Sequence, residues 1–180
     1  MLLSADQSAL VVVDIQERLA PVVHAQERIT HNVMVLLKAA RRLDVPVLAS
    51  EQYPKGLGAT VPALAELLPA DSVVEKIHFG CTCETPFNER LAALGRRQVV
   101  LTGMEAHICV LQTGIGLLEQ GYKVFIVADG TSSRNPANAE LGIERMRANG
   151  AEVVTTEMVV FEWLKKAGTA GFKELSRLIK

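Results

Sequence analysis

The sequence predicts an α/β fold built on a mostly parallel sheet, and three observations predict it. Six short apolar runs recur along the chain. Segments with helical spacing separate most of them. The first run, SALVVVD (8–14), is continuously apolar, as a strand covered on both faces should be. Strands alternating with crossover helices give a parallel sheet with helices on its faces.

The elements follow in order. Residues 26–43 put Ile29, Val33, Leu36, Leu37 and Ala40 on one stripe of a helix. VPVLAS (45–50) reads as the second strand and DSVVEK (71–76) as the third. Between them, residues 51–70 (EQYPKGLGATVPALAELLPA) crowd Pro and Gly; long loops on a rigid scaffold are often functional. PFNERLAALG (86–95) is a helix with Pro86 in its first turn and Gly95 closing it. RQVVLTG (97–103) is a strand, ICVLQTGIGLLEQG (108–121) a helix, and YKVFIVAD (122–129) a strand. A helix over 136–150, a last strand AEVVTT (151–156) and a terminal helix over 169–180 complete the chain. Residues 1–180 read as one domain, with no linker, repeat or low-complexity segment.

Composition narrows the class of function. Of 180 residues, 49% are hydrophobic and 22% charged, which is globular composition. Nineteen Lys and Arg against twenty Asp and Glu leave a net charge of −1, so no electrostatic case exists for nucleic acid or an anionic membrane. No apolar run reaches the length of a membrane span. The opening MLLSADQSALVVVD lacks a basic leader and a small-residue cleavage site, and is expected to be mature protein. Three cysteines cannot all pair within one chain; free thiols in a reducing cytoplasm are the simpler expectation.

In open parallel sheets, ligands bind outside the carboxyl ends of the strands. That directs attention to Asp14, residues 50–53, Lys76, residues 103–109 and Asp129. By position Asp14 is either a cap, the commoner role of a strand-end Asp, or a pocket acid. Lys76, in isolation, reads as a solvated charge at a strand end. Cys109 is evenly balanced between a small buried hydrophobe flanked by Ile108 and Val110 and a thiol in the first turn of a helix. In the second reading the macrodipole favours thiolate. His107 stands two residues from Cys109 on that helix and points elsewhere, which makes it a rim residue and not a paired base. Cys81 and Cys83 form C-x-C without a second ligand pair or a C-x-x-C motif, so they read as structural thiols, with Cys81 able to line a pocket near Lys76. The GIG at 114–116 lies inside a helical run and no P-loop occurs, so no nucleotide cofactor is expected.

Taken in order, VVVDIQ (11–16), VVEKIHFGC (73–81), VVLTGMEAHICVLQT (99–113) and VFIVADGTSS (124–133) resemble the isochorismatase-like cysteine hydrolases. EQYPKGLGATVPAL (51–64) is similar to the subgroup of isochorismatase domain-containing proteins. The resemblance implies a three-layer sandwich with a six-stranded sheet in the order 3-2-1-4-5-6. It also implies a catalytic triad of Asp14, Lys76 and Cys109, and a cis peptide at Met104–Glu105 that aims the N–H groups of Glu105 and Cys109 at an oxyanion. Gln16, Gln52, Tyr53, Phe79 and His107 are the expected substrate contacts. Lys76 would stabilise the Cys109 thiolate while Asp14 moves the proton, giving hydrolysis of a small amide or related carbonyl compound through a thioester. Nicotinamidases of the family carry a D-x-H metal motif where this chain has Ser50, Glu51 and Gln52, so no metal is expected. Homo-oligomers are expected from the family and from the apolar segment 158–172. Competing readings are an isochorismatase-type vinyl-ether hydrolase, a non-catalytic oligomer, and a thiol sensor in which Cys81 or Cys83 resolves oxidised Cys109.

Overall fold

The computed structural model describes residues 1–179. In chain order it contains β1 (Ser8–Val13), α1 (Gln26–Arg42), β2 (Val47–Gln52), the short helices α2 (Pro54–Leu57) and α3 (Pro62–Ala65), β3 (Val73–Lys76), α4 (Thr85–Ala93) and β4 (Gln98–Met104). A π-helical turn (Ala106–Val110) then leads into α5 (Leu111–Glu119), followed by β5 (Lys123–Ser132), α6 (Pro136–Ala148), β6 (Glu152–Val154), α7 (Thr156–Leu164) and α8 (Ala170–Leu175). The six strands form one parallel sheet in the order β3-β2-β1-β4-β5-β6.

β1 lies in the middle, and its alternation explains the layers. Leu10 and Val12 pack with Ile29, Leu36, Val159 and Trp163 of α1 and α7. Ala9, Val11 and Val13 pack on the opposite face with Phe87, Leu91, Leu117 and Met146 of α4, α5 and α6. Burying a side chain of this size stabilises by about 1.5–3 kcal/mol, so an all-apolar strand needs cover on both faces.

The strands end nearly in register: Val13 lies beside Ser50 on one side and Gly103 on the other, and Gln52 beside Lys76. The ladder between β4 and β5 then jumps from Leu101–Ile126 to Gly103–Thr131, which carries β5 on to Ser132, past the expected end at 129. Residues 156–164, which carry no helix in the sequence reading, form α7. Thr155 Oγ1 accepts the Met158 N–H, and Asp129 Oδ1 accepts both the N–H and the hydroxyl of Thr156. The terminal helix is shorter than expected and is opened by Thr169, whose hydroxyl oxygen accepts the Phe172 N–H.

The segment after β2 is sewn back to the chain that follows β1. Glu17 and Arg18 donate their N–H groups to the carbonyls of Ala59 and Leu57, at 2.9 and 3.0 Å. The Arg18 guanidinium adds a bond to Gly56 O, and Val61 N–H reaches Ile15 O.

Close approach of β1 and β4 at the carboxyl end depends on Gly103. Its φ is +131°, and a Cβ there would stand 2.1 Å from Val13 O. Gly103→Ala is therefore expected to cost about 3 kcal/mol or more, from backbone strain and overpacking together. Urea denaturation of the variant checks this, and a loss under about 1 kcal/mol would contradict the packing argument.

Candidate active site

Asp14 follows β1 in a left-handed conformation, φ 52°, with its N–H on Ser50 O and its carbonyl taking Gln16 N–H. This turn tucks a carboxylate with no exposed surface under the strand ends. Oδ1 accepts the Ser50 hydroxyl at 2.7 Å. Oδ2 lies 2.8 Å from Lys76 Nζ, and both side chains of this ion pair are fully buried. Sequence position alone favoured a cap for Asp14 and a solvated role for Lys76. The sheet order overturns both, because β3 and β1 flank β2 and their ends converge.

Lys76 Nζ has more oxygen neighbours than protons. Gln52 Oε1 takes a hydrogen bond at 2.6 Å, Phe79 O one at 2.9 Å and His78 O a longer one at 3.3 Å. Asp14 Oδ2 is close enough for ion pairing but lies off the line of these bonds, and the ammonium acts on it first through its charge and only then through a hydrogen bond. The contact between the two charges is thus mainly Coulombic.

Cys109 sits in the π-helical turn, buried. The N–H groups of Ile108 and Val110 both close on the Glu105 carbonyl, at 3.0 and 3.2 Å, which passes over the Cys109 N–H between them. The turn is fixed from outside by α6, where a Cβ on Gly142 would come within 2.8 Å of Ala106 O. The Met104–Glu105 peptide that precedes the turn is cis.

Burial pushes the Asp14 carboxyl above its ordinary range, more strongly than Lys76 and the hydrogen bonds of Ser50 and Cys109 pull it down. Burial depresses Lys76, but the charge of Asp14 and the neighbouring thiols more than offset it, so the ammonium persists. The Cys109 thiol is pushed well up, first by burial, then by the Asp14 charge, with Lys76 opposing. The expected pull of Lys76 toward thiolate is present, but burial and the charge of Asp14 oppose it and favour the protonated thiol. Cys81, also buried, feels the same Asp14 charge and is raised to about 11, first by burial. Cys83 is exposed.

Of the expected substrate contacts, Gln16 is fully buried, and its amide is used up on backbone. Oε1 takes Gln52 N–H, while Nε2 donates to Gln52 O and Gly58 O. It is corrected from a pocket residue to a clamp. Gln52 is likewise engaged at both ends, by Lys76 and by Ile77 O. Tyr53 and Phe79 lie exposed on the loops that follow β2 and β3, 52% and 53% accessible. His107 is half-buried, its Nδ1 2.9 Å from Ser133 Oγ. Glu105 turns its buried carboxylate to Arg134: burial would raise it, but the Arg134 N–H and guanidinium hold it below the ordinary range. The sequence reading did not assign Ser50, Ser133 or Arg134. Ser133 and Arg134 lie in a loop and give no periodic signal, while Ser50 closes the VPVLAS run two residues before Gln52 on the same strand.

Among the described residues, no group of three or more His, Cys, Asp or Glu side chains stands at metal-holding distance. Two larger surface hollows lie elsewhere, one of about 620 Å³ beside Phe161 and one of about 540 Å³ beside Pro46 and Leu94. Neither touches Asp14, Lys76 or Cys109, and the clustered buried titratable groups locate the chemistry better than hollow volume does.

The doubly wound parallel sheet thus holds a thiol and a buried ion pair under its carboxyl edge. Comparison with known proteins assigns the family. The family model described as Isochorismatase domain matches residues 8–158. Isochorismatase domain-containing protein 2 of Danio rerio is 36% identical over 98% of this chain and 89% of its own length. The secreted isochorismatase effector Isc1 of Phytophthora sojae is 35% identical over 96% and 84%. Among solved structures, MAR1 ribonuclease from Caenorhabditis elegans superposes with a TM-score of 0.93 at 36% identity, over 99% of this chain and 92% of that one. The chain belongs to the isochorismatase family.

The two raised thiols make a stability prediction. A group whose folded pKa lies above its unfolded value stabilises fully below the unfolded value, and that contribution is lost as pH rises toward the folded one. Wild type is therefore expected to lose stability as pH climbs past the ordinary thiol value of 9.0. A Cys81→Ala, Cys109→Ala double variant should decline less steeply over the same interval. Urea midpoints across neutral to alkaline pH measure it, and parallel curves would contradict the burial argument.

Proposed function

We propose that this protein is a cysteine hydrolase of a small amide or related carbonyl compound, with Asp14, Lys76 and Cys109 as its triad. The observation that carries the reading is the buried Asp14–Lys76 pair beside a buried thiol, since two desolvated charges next to a nucleophile cost stability and are seldom kept for packing alone. Asp14 takes the Cys109 proton as sulfur attacks the carbonyl carbon, and Lys76 offsets the negative charge. The N–H groups of Glu105 and Cys109 receive the developing oxyanion. The proton on Asp14 passes to the departing amine, and a C–N bond is exchanged for a thioester. Water, deprotonated by Asp14, then attacks the thioester, and its proton returns to sulfur as the acid leaves. Tyr53, Phe79 and His107 form the substrate rim.

The partner is a small molecule. One solved relative is named a ribonuclease, but a net charge of −1 supplies this chain with no phosphate-attracting field. We place the protein in the cytoplasm as a homo-oligomer, on the strength of its three free thiols and the exposed apolar side chains Met158 and Phe161. The described helices include none long and apolar enough to cross a membrane. Thiol sensing is the second reading, favoured by a second buried thiol, Cys81, near enough to bear on the ionisation of Cys109. Mild peroxide followed by peptide mapping would then yield a Cys81–Cys109 disulfide.

Intact-mass trapping against a panel of small amides tests the hydrolase reading, with wild type and Cys109→Ala in parallel. An acyl adduct is expected on wild type alone, and an adduct that persists in the variant would refute the nucleophile. Because Asp14 must be unprotonated to accept the thiol proton, the acid limb of turnover should lie above the ordinary Asp value of 3.8.

A further inference from the structure

The Gln52 side chain is oriented without ambiguity. An ammonium offers only donors, so the group 2.6 Å from Lys76 Nζ is the amide oxygen, and the amide nitrogen is left to meet Ile77 O at 2.7 Å. The Gln52 backbone is held on both sides by the buried amide of Gln16, and the parallel pairing of Gln52 with Lys76 sets the two side chains next to each other. Lys76 thus directs its protons best at one amide oxygen and two backbone carbonyls, while Asp14 Oδ2, 2.8 Å away and fully buried, lies off the line of a well-formed hydrogen bond and feels the ammonium chiefly through its charge.

We propose that Gln52 is a positioning residue: by taking one proton of the Lys76 ammonium it keeps that proton off Asp14 Oδ2, which stays free to receive the Cys109 proton. Without the amide oxygen, an N–H of Lys76 turns to Oδ2, and a carboxylate that accepts a charge-assisted hydrogen bond is a weaker base. The other groups bearing on Asp14 are Ser50 on β2, Cys81 on the turn after β3 and Cys109 on the π turn. Glu105 and His107 are committed to Arg134 and Ser133. The proposal rests on the triad reading and adds to it a reason for the shape of the Lys76 cradle.

Alkylation by iodoacetamide tests it on the full chain without a known substrate. The Cys109 rate is followed by peptide mapping across pH, with exposed Cys83 as the internal reference thiol. Wild type is expected to show a pH-independent shoulder below the thiol's own ionisation range, because the proton moves to Asp14, and Asp14→Asn should remove that shoulder. Gln52→Met should lower it about tenfold, the worth of one hydrogen bond to a charged group. Gln52→Glu retains an acceptor for Lys76 and should keep the shoulder. Gln52→Leu repeats the loss with a different shape, so the test survives if one variant fails to fold. An unchanged shoulder in folded Gln52→Met or Gln52→Leu overturns the proposal, as does an equal fall in Gln52→Glu, which would trace the effect to the Ile77 contact. A wild-type profile without a shoulder, or one indifferent to Asp14→Asn, overturns the triad reading instead.

Discussion

The structure turns on one interaction, the ion pair of Asp14 and Lys76 sealed beneath the carboxyl ends of β1 and β3. Neither charge reaches water, so each needs compensation from the protein. The sheet supplies it through geometry. Parallel strands that end in register bring Ser50, Gln52 and Gly103 alongside, and the loop after β3 turns two carbonyls back onto the ammonium. Removing either partner would leave a bare charge in the core, which typically costs about 3–5 kcal/mol. The pair therefore ties the chemistry of the site to the integrity of the fold.

Much of this was legible in the residues. The unbroken apolar run of β1 gave the central strand, and its final Asp marked the end where ligands gather. Alternation of strands and helices led to the parallel sheet, and the ordered resemblance led to its strand order. What escaped was whatever depends on contacts far apart in sequence. Helix α7 is opened locally by Thr155, which the sequence reading gave to a strand, and is braced by Asp129, 27 residues upstream of the Thr156 it bonds, a contact no local pattern announces. The roles of Gln16 and Gln52 escaped for a related reason. An amide is suited to substrate or to backbone, and only the register of three strands decides which it meets. For the thiol, helix position and a nearby lysine are visible in a sequence, whereas the burial that opposes them is not.

Burial that favours the protonated thiol bears on the proposed mechanism. In that mechanism reactivity would be released when Asp14 accepts the proton as an electrophile arrives, not stored in a standing thiolate. Burial that raises Asp14 and Cys109 together narrows the gap between donor and acceptor in the transfer, even as it suppresses ionisation toward solvent.

The stitching of residues 56–61 onto the chain after β1 has a consequence for how the family could diversify. A segment anchored at so many backbone points keeps its peptide frame whichever side chains it carries. With Tyr53 and Phe79 as the proposed rim, new preferences would arise through their exchange, the frame left untouched.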